Sequence, residues 1–121
     1  MKVVIIIPTY NEKENISIML KALLQIAKNN PNYKFFQVVV DDNSPDGTGR
    51  IIQKWMKKNK SIYLLTGPKK GLGTALLRGC KYAIEKLNTD VVVLIDGDLS
   101  WDPYKIPQFL DKIRQNYDVV I

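Results

Sequence analysis

Four apolar runs, each followed by a polar loop and a helical pattern, constrain the fold of this chain more than any other feature. The runs Val3 to Ile7, Phe35 to Val40, Ile62 to Leu65 and Val91 to Ile95 are almost entirely apolar and rich in β-branched residues. Such runs are typical of strands buried on both faces of a parallel sheet. The segments between them carry apolar residues at helical spacing. The predicted core-facing residues are Ile16, Met19, Leu20, Leu23, Leu24 and Ala27 in the first segment and Leu76, Cys80, Ala83, Ile84 and Leu87 in the third. The pattern predicts an α/β fold of three α/β/α layers, in which helices cover both faces of a mainly parallel, Rossmann-like sheet.

The order of these segments predicts one domain over residues 1–121, with a strand order of about 3-2-1-4. A fifth strand is predicted at Asp118 to Ile121, where the chain stops. Because a chain that ends on DVVI ends inside a strand, we expect a truncated sheet, completed either by further chain or by self-association.

Composition restricts the classes of function. The formal net charge of +6 suits an anionic ligand, although most lysines fall on predicted solvent faces of helices, and we predict no nucleic-acid partner. One cysteine, Cys80, cannot form an internal disulfide and indicates a reducing, cytoplasmic compartment. The absence of histidine makes a zinc site improbable. No apolar run approaches the ~18 residues that a membrane span needs.

The fourth run ends in two carboxylates, Asp96 and Asp98, separated by Gly97. In an extended segment, side chains at i and i+2 point the same way, so we expect the two aspartates to share one cation. Gly97 lets a ligand approach the backbone closely. A hard ion such as Mg²⁺ fills its remaining positions with water and phosphate oxygens, which makes a nucleoside diphosphate the natural companion. The alternative is an acidic turn after a strand.

Polar residues also follow the first two strands. In PTYNE, Pro8 and Tyr10 offer a flat apolar wall for a nucleobase, and Glu12 is placed for ribose or base hydroxyls. An aspartate of DDNSPDG, after the second strand, can accept hydrogen bonds from a base N–H group. Both residues could instead have purely structural roles: Tyr10 as an aromatic residue of the core, and Glu12 as a carboxylate that interacts favourably with the first turn of a helix. Lys69 and Lys70, in the loop after the third strand, either reach a diphosphate or are solvated.

Taken together, these motifs resemble a glycosyltransferase family. PTYNE at 8–12, VVVDDNSPDGT at 38–48, GLGTALLRG at 71–79 and IDGDLSWDP at 95–103 resemble family-two glycosyltransferases of the GT-A fold. The resemblance is closest to polyprenyl-phosphate (dolichyl-phosphate) mannosyltransferases and their glucosyl relatives. It implies inverting transfer of a sugar from a nucleotide sugar, typically GDP-mannose, to a lipid phosphate at a membrane surface, assisted by Mg²⁺ or Mn²⁺.

The resemblance also implies residue roles. The expected metal ligands are Asp96 and Asp98, with Asp98 as the catalytic residue. The expected nucleotide contacts, including those to ribose and diphosphate, are Pro8, Tyr10, Glu12, Val40, Asp42, Asp96 and Gly97.

The chain departs from the family pattern in two ways. The family commonly has alanine or another small residue where Gly97 stands, and its members continue past residue 121 into a segment that starts GSR and carries basic residues. We therefore expect the acceptor-binding part to be absent, so that the isolated chain binds nucleotide weakly and transfers sugar poorly or not at all. In the full-length context, a cytoplasmic protein peripheral to the membrane is expected.

Three alternatives remain at this stage. A UDP-sugar could replace the GDP-sugar within the same family. A phospho-receiver domain also has five βα units and clustered aspartates, although its acidic pair should follow the first strand. A nucleotidyltransferase should carry a basic glycine-rich loop after the first strand, which PTYNEKEN is not.

Overall fold

The computed structural model of the chain describes residues 1–115. Strands and helices alternate from the start to the end of this part. They are β1 (Lys2–Thr9), α1 (Ile16–Asn29), β2 (Lys34–Asp41), α2 (Thr48–Lys58), β3 (Ile62–Thr66), α3 (Leu72–Glu85), β4 (Val91–Leu94), a 3₁₀ turn (Pro103–Lys105) and α4 (Ile106–Arg114). The fifth strand predicted at Asp118 to Ile121 lies outside the described residues.

The strands form one parallel sheet in the order β3-β2-β1-β4, as predicted. β1 lies at the centre, where Val3 to Ile7 have no solvent exposure. All of β1 pairs with β2, whereas only Val3 to Ile6 pair with β4. Because every strand is parallel, the four loops that follow the strands meet at one edge of the sheet, called here the carboxyl edge.

Helices cover both faces of the sheet, which confirms the three layers. One face of the sheet packs against α1, α2 and α4 through a large core that includes Ile16, Ile52 and Ile106. The other face packs against α3 through a smaller core built on Ile6, Val40 and Ala75.

Two details of the predicted core are wrong. The fourth strand was expected to be buried on both faces over Val91 to Ile95, but β4 ends at Leu94 and that side chain is 51% exposed. Among residues 1–115, β4 has a strand neighbour on one side alone, so its outer part stays open. Ile84 was expected to face inward on α3 and is 62% exposed. Ala83, expected on the same face, is buried as predicted, together with Ala75 and Gly79.

Small residues at these three positions bring α3 close to the sheet. A Cβ atom on Gly79 would lie 2.5 Å from Ile6 Cγ2 and 3.2 Å from Val40 Cγ2. Spacing of i, i+4, i+8 keeps all three on one side of the helix, which turns Ile84 toward solvent.

Candidate functional site at the carboxyl edge of the sheet

Asp41, the last residue of β2, joins the first two strands at this edge. Its side chain is 2% exposed and accepts hydrogen bonds from the Thr9 hydroxyl at 2.7 Å, the Ser44 hydroxyl at 2.6 Å and the Ser44 N–H at 2.9 Å. A buried carboxylate is tolerated when its oxygens are paired in this way. Asp41 therefore holds the loop after β2 in one conformation rather than facing a ligand.

The loop after β2 in turn fixes the loop after β1. The N–H groups of Asn11, Glu12 and Lys13 donate to Ser44 Oγ at 2.8 Å, Thr48 Oγ1 at 3.1 Å and Asp46 Oδ2 at 3.2 Å. Three consecutive N–H groups at the end of PTYNE and just after it are thereby satisfied by side chains of NSPDGT. Sequence reasoning missed this role, because it treated the two motifs as separate sources of ligand contacts.

Asp46 has a second role at the start of α2. Its Oδ1 accepts the Thr48 N–H at 3.0 Å and the Thr48 hydroxyl at 2.5 Å, although the N-cap residue of α2 is Gly47. Partial burial raises the pKa of Asp46, but the hydrogen bonds from Thr48 and the Lys13 N–H, with the Lys13 charge, outweigh it and hold the pKa below its usual value.

The three residues of PTYNE that were predicted to contact a nucleotide lie at this edge, and they differ in solvent exposure. Tyr10 is 39% exposed, so it is not the core aromatic of the alternative interpretation. Lys69 Nζ lies over the Tyr10 ring, 3.9 Å from its centroid. Pro8 and Glu12 are half-buried, and Glu12 Oε2 accepts a hydrogen bond from the Asn15 side-chain amide at 3.1 Å.

The two nucleotide contacts predicted at the end of β2, Asp42 and Val40, lie in different surroundings. Asp42 follows the strand, is half-buried and lines a cavity of about 290 Å³. Val40 has no solvent exposure and packs in the core beneath α3, so its side chain is not available to a ligand at this edge. The rest of the cavity is lined by the loop after β3 and the start of α3: Thr66, Gly67, Pro68, Lys70, Gly71, Thr74, Ala75 and Arg78.

Arg78 is a cavity residue that sequence reasoning missed. Its guanidinium donates to the Thr66 carbonyl oxygen at 2.6 Å and occupies the space above Gly67, where a Cβ atom would lie 2.5 Å from Arg78 Nη1. Arg78 lies one helical turn after the cavity residue Thr74, at i+4, but this spacing becomes informative only once the structure shows that Thr74 lines the cavity. It supplies N–H donors to a cavity that Asp42 lines with an acceptor.

Asp96 and Asp98 are both exposed after β4, with Gly97 buried between them. They do not continue the strand as expected, because the chain turns at Gly97 and Asp98 and Leu99 adopts φ 64°. Hydrogen bonds from Ser100, including its N–H at 2.9 Å from Oδ1, hold the pKa of Asp98 below its usual value, so the carboxylate is ionised at neutral pH.

Gly97 joins this acidic turn to the end of β1. A Cβ atom at Gly97 would lie 3.0 Å from Thr9 Cγ2 and 3.3 Å from the Pro8 carbonyl oxygen. The structure therefore brings the tips of β1, β2 and β4 to one edge, as the sequence analysis required.

Comparison with known proteins decides the family. The model of glycosyl transferase family 2 matches residues 4–121. The chain belongs to glycosyl transferase family 2. It is 39% identical over 121 residues to a dolichol-phosphate mannosyltransferase from Pyrococcus furiosus, covering 100% of this chain and 32% of that protein. It is 36% identical over 122 residues to an undecaprenyl-phosphate mannosyltransferase from Micrococcus luteus, covering 100% of this chain and 47% of that protein. The chain thus spans about a third to a half of the length of these relatives.

Solved structures agree with the family 2 assignment. A mannosyltransferase from Pyrobaculum calidifontis in complex with GDP-Man and Mn²⁺ matches at a TM-score of 0.71 and 27% identity, over 85% of this chain and 29% of that one. TarS from S. aureus in complex with UDP-GlcNAc matches at a TM-score of 0.68 and 22% identity, over 96% of this chain and 32% of that one, and shows the fold alone. The predicted resemblance is confirmed, and the phospho-receiver and nucleotidyltransferase alternatives find no support.

The donor set at the acidic turn fits a hard divalent cation of the kind expected for a family 2 domain. Two ionisable carboxylates with exposed oxygens suit an ion that keeps water and substrate phosphates as its other ligands. Within residues 1–115, no group of three or more metal-binding side chains occurs, so the protein alone does not form a closed cage.

No helix of residues 1–115 is long and apolar enough to cross a membrane.

Proposed function

We propose that this family 2 chain forms the donor half of a glycosyltransferase that binds GDP-mannose with Mg²⁺ or Mn²⁺ for inverting transfer to a polyprenyl phosphate. The observation that carries the proposal is the close approach of Gly97 to Thr9 and Pro8. It sets the two exposed carboxylates of the acidic turn beside the PTYNE loop, while the cavity at Asp42 opens on the other side of that loop.

The chemistry of the two sides supports a nucleoside diphosphate. Asp42 and Arg78 both line the cavity, where a carboxylate can accept N–H groups and a guanidinium can donate to a carbonyl oxygen, which together would complement the N1–H, N2–H and O6 edge of guanine. Uracil offers one N–H between two carbonyls and would leave part of the carboxylate unpaired. Asp96 and Asp98 would hold the cation, which would supply positive charge beside the diphosphate leaving group.

The proposed acceptor, a lipid phosphate, does not require a strong general base in the protein. A lipid phosphate is already an anion at neutral pH, so it needs positioning more than a general base, and a chain without histidine meets that demand. The lipid acceptor is supported by the names of the two mannosyltransferase relatives. Because the chain spans less than half of either relative, we expect weak or no transfer from these 121 residues alone, and peripheral membrane association of the whole protein.

Thermal unfolding with candidate ligands tests the proposal. GDP with Mn²⁺ should raise the melting temperature more than UDP with Mn²⁺, and acetyl phosphate with Mg²⁺ should leave it unchanged, because at equal concentration the ligand that binds the folded state more tightly stabilises it more. A larger shift with UDP would overturn the choice of guanine. A shift with acetyl phosphate alone would overturn the nucleotide-sugar proposal.

A further inference from the structure

The segment Gly67–Gly71 connects β3 to α3 and crosses the carboxyl edge. It is anchored at both ends, by the Gly67 N–H donating to the Asp41 carbonyl oxygen at 3.3 Å and by the Gly71 carbonyl oxygen accepting the Ala75 N–H at 3.3 Å. Between these anchors, Lys69 Nζ reaches the Tyr10 ring, 3.9 Å from its centroid. The Lys69 side chain therefore reaches from the loop after β3 to the residue that follows β1.

The two lysines that the sequence analysis left equivalent are separated by this geometry. Lys70 lines the cavity with Asp42 and Arg78, whereas Lys69 lies on the face of Tyr10. In the part of the chain that the structure describes, no carboxylate forms an ion pair with Lys69. A ring face attracts the ammonium charge without accepting all three of its N–H groups, so Lys69 keeps donors for an anion.

The strand order places this ammonium between the two halves of the donor site. Tyr10 follows β1, which lies between β2, with Asp42 at its end, and β4, with Asp96 and Asp98 beyond it. Neighbouring strands are about 4.8 Å apart, so β2 and β4 are about 10 Å apart. A nucleotide with its base in the cavity and its diphosphate at the acidic turn must cross the end of β1.

We propose that Lys69 is a phosphate-binding residue of the donor site and that the Tyr10 ring positions it. This inference rests on the proposed function and adds one residue to it. Tyr10 then has two roles, as a wall for the nucleoside and as a support that holds the ammonium over the crossing point. Because a cation on an aromatic face loses less freedom on binding than a fully solvated lysine, the support raises affinity by pre-organisation.

Titration calorimetry of wild type and Lys69→Ala with GDP and with guanosine tests the contact. We expect Lys69→Ala to weaken GDP binding about tenfold, the size of one lost charge-assisted hydrogen bond, and to leave guanosine binding within twofold. Lys69→Arg should restore most of the GDP affinity. Lys81→Ala, which removes the same charge from an exposed position on α3, should leave both affinities unchanged.

The role of the ring is measured by a double-mutant cycle for GDP binding. In a Tyr10→Leu background, Lys69→Ala should cost clearly less than tenfold, whereas in a Tyr10→Phe background it should keep its full effect. Equal costs in all three backgrounds would overturn the positioning by Tyr10. An equal loss of GDP and guanosine binding, a gain in GDP affinity, or no loss at all in Lys69→Ala would overturn the phosphate contact. Wild type that binds neither GDP nor guanosine would instead overturn the proposed function.

Discussion

At the scale of single residues, two adjacent aspartates have opposite surroundings. Asp41 is 2% exposed and its carboxylate accepts three hydrogen bonds within the fold. The Asp42 side chain is half-buried and lines the cavity. Only its backbone makes a hydrogen bond within the described fold, by donating its N–H to the Thr9 carbonyl oxygen at 3.1 Å. The strand pleat produces this difference, because successive side chains point to opposite faces.

Alanine substitutions should separate the two roles. Asp41→Ala leaves the Thr9 and Ser44 donors without a buried acceptor, so we expect the free energy of unfolding to fall by about 2–3 kcal/mol. Asp42→Ala should change it by less than about 0.5 kcal/mol, because the Asp42 carboxylate accepts no hydrogen bond within residues 1–115, while abolishing measurable GDP binding. Urea unfolding and calorimetry on the same samples measure both. The reverse assignment of losses would contradict the geometry.

Asp46 makes stability depend on pH. Its folded-state pKa lies below the ordinary value of 3.8, so its contribution to stability is complete above that value and is lost as the pH falls through the lower, folded-state pKa. We expect Asp46→Asn to be less stable than wild type at pH 6, with the difference shrinking below about pH 4. Urea midpoints across this range provide the measurement. A difference that grows on acidification would show that the carboxylate is not stabilised by Thr48 and Lys13.

Gly67 offers a way to displace Arg78 without removing its charge. An alanine Cβ there would meet the far end of the flexible Arg78 side chain, so the guanidinium should move while the fold is retained. We expect Gly67→Ala to weaken guanosine binding about as much as Arg78→Ala does. Because both changes act on one contact, the double variant should lose little more than either single variant. Calorimetry with guanosine measures the three affinities. Additive losses would show that Gly67→Ala does not act by displacing the Arg78 guanidinium.

At the scale of elements, the strands were predictable and the face of one helix was not. Buried β-branched runs have few alternatives to a strand, and the large apolar residues of α1 mark its inner face correctly: Ile16, Met19, Leu20 and Leu23 are fully buried. On α3, the same criterion selected Ala83 correctly but also selected Ile84, and it missed Ala75 and Gly79, through which the helix packs on the sheet. Apolar size predicts the buried face where there is room, but close packing on a sheet requires small residues, which hydrophobic periodicity does not weigh.

Two glycines of α3 test this packing. Gly79→Ala places a methyl group 2.5 Å from Ile6 Cγ2, so α3 must shift and we expect destabilisation of about 1–3 kcal/mol. Gly73→Ala has no heavy atom within 4 Å of the new Cβ and should stabilise the protein by up to about 1 kcal/mol through helix propensity. Thermal or urea unfolding compares the two. Equal effects from both substitutions would mean that the helix does not approach the sheet as closely as described.

At the scale of the whole molecule, the order β3-β2-β1-β4 turns four separate motifs into one edge. The sequence predicted this edge, because acidic and aromatic residues follow strands whose order parallel sheets restrict to few choices. It did not predict how the loops divide their work. Ser44, Asp46 and Thr48 accept hydrogen bonds from the loop after β1. Val40 is buried in the core, and Arg78 on α3 lines the cavity. These placements depend on contacts between loops far apart in the chain, which no local pattern encodes.

The same order should make the proposed metal and nucleobase binding separable. Because the acidic turn and the cavity lie on either side of β1, Mn²⁺ should strengthen binding of a ligand that carries a diphosphate and not of one that occupies the cavity alone. We expect Mn²⁺ to raise the affinity of wild type for GDP at least tenfold and to leave guanosine binding unchanged.

Asp98→Asn should remove most of this gain and keep the guanosine affinity, since an amide oxygen is a weaker ligand for a hard cation than a carboxylate. Asp111→Asn, an exposed carboxylate on α4, is the matched control and should keep the full gain. Calorimetry with and without Mn²⁺ measures each affinity. A gain that survives in the Asp96→Asn, Asp98→Asn double variant would place the cation elsewhere, and a gain of equal size for guanosine would mean that metal and base share one subsite rather than flanking β1.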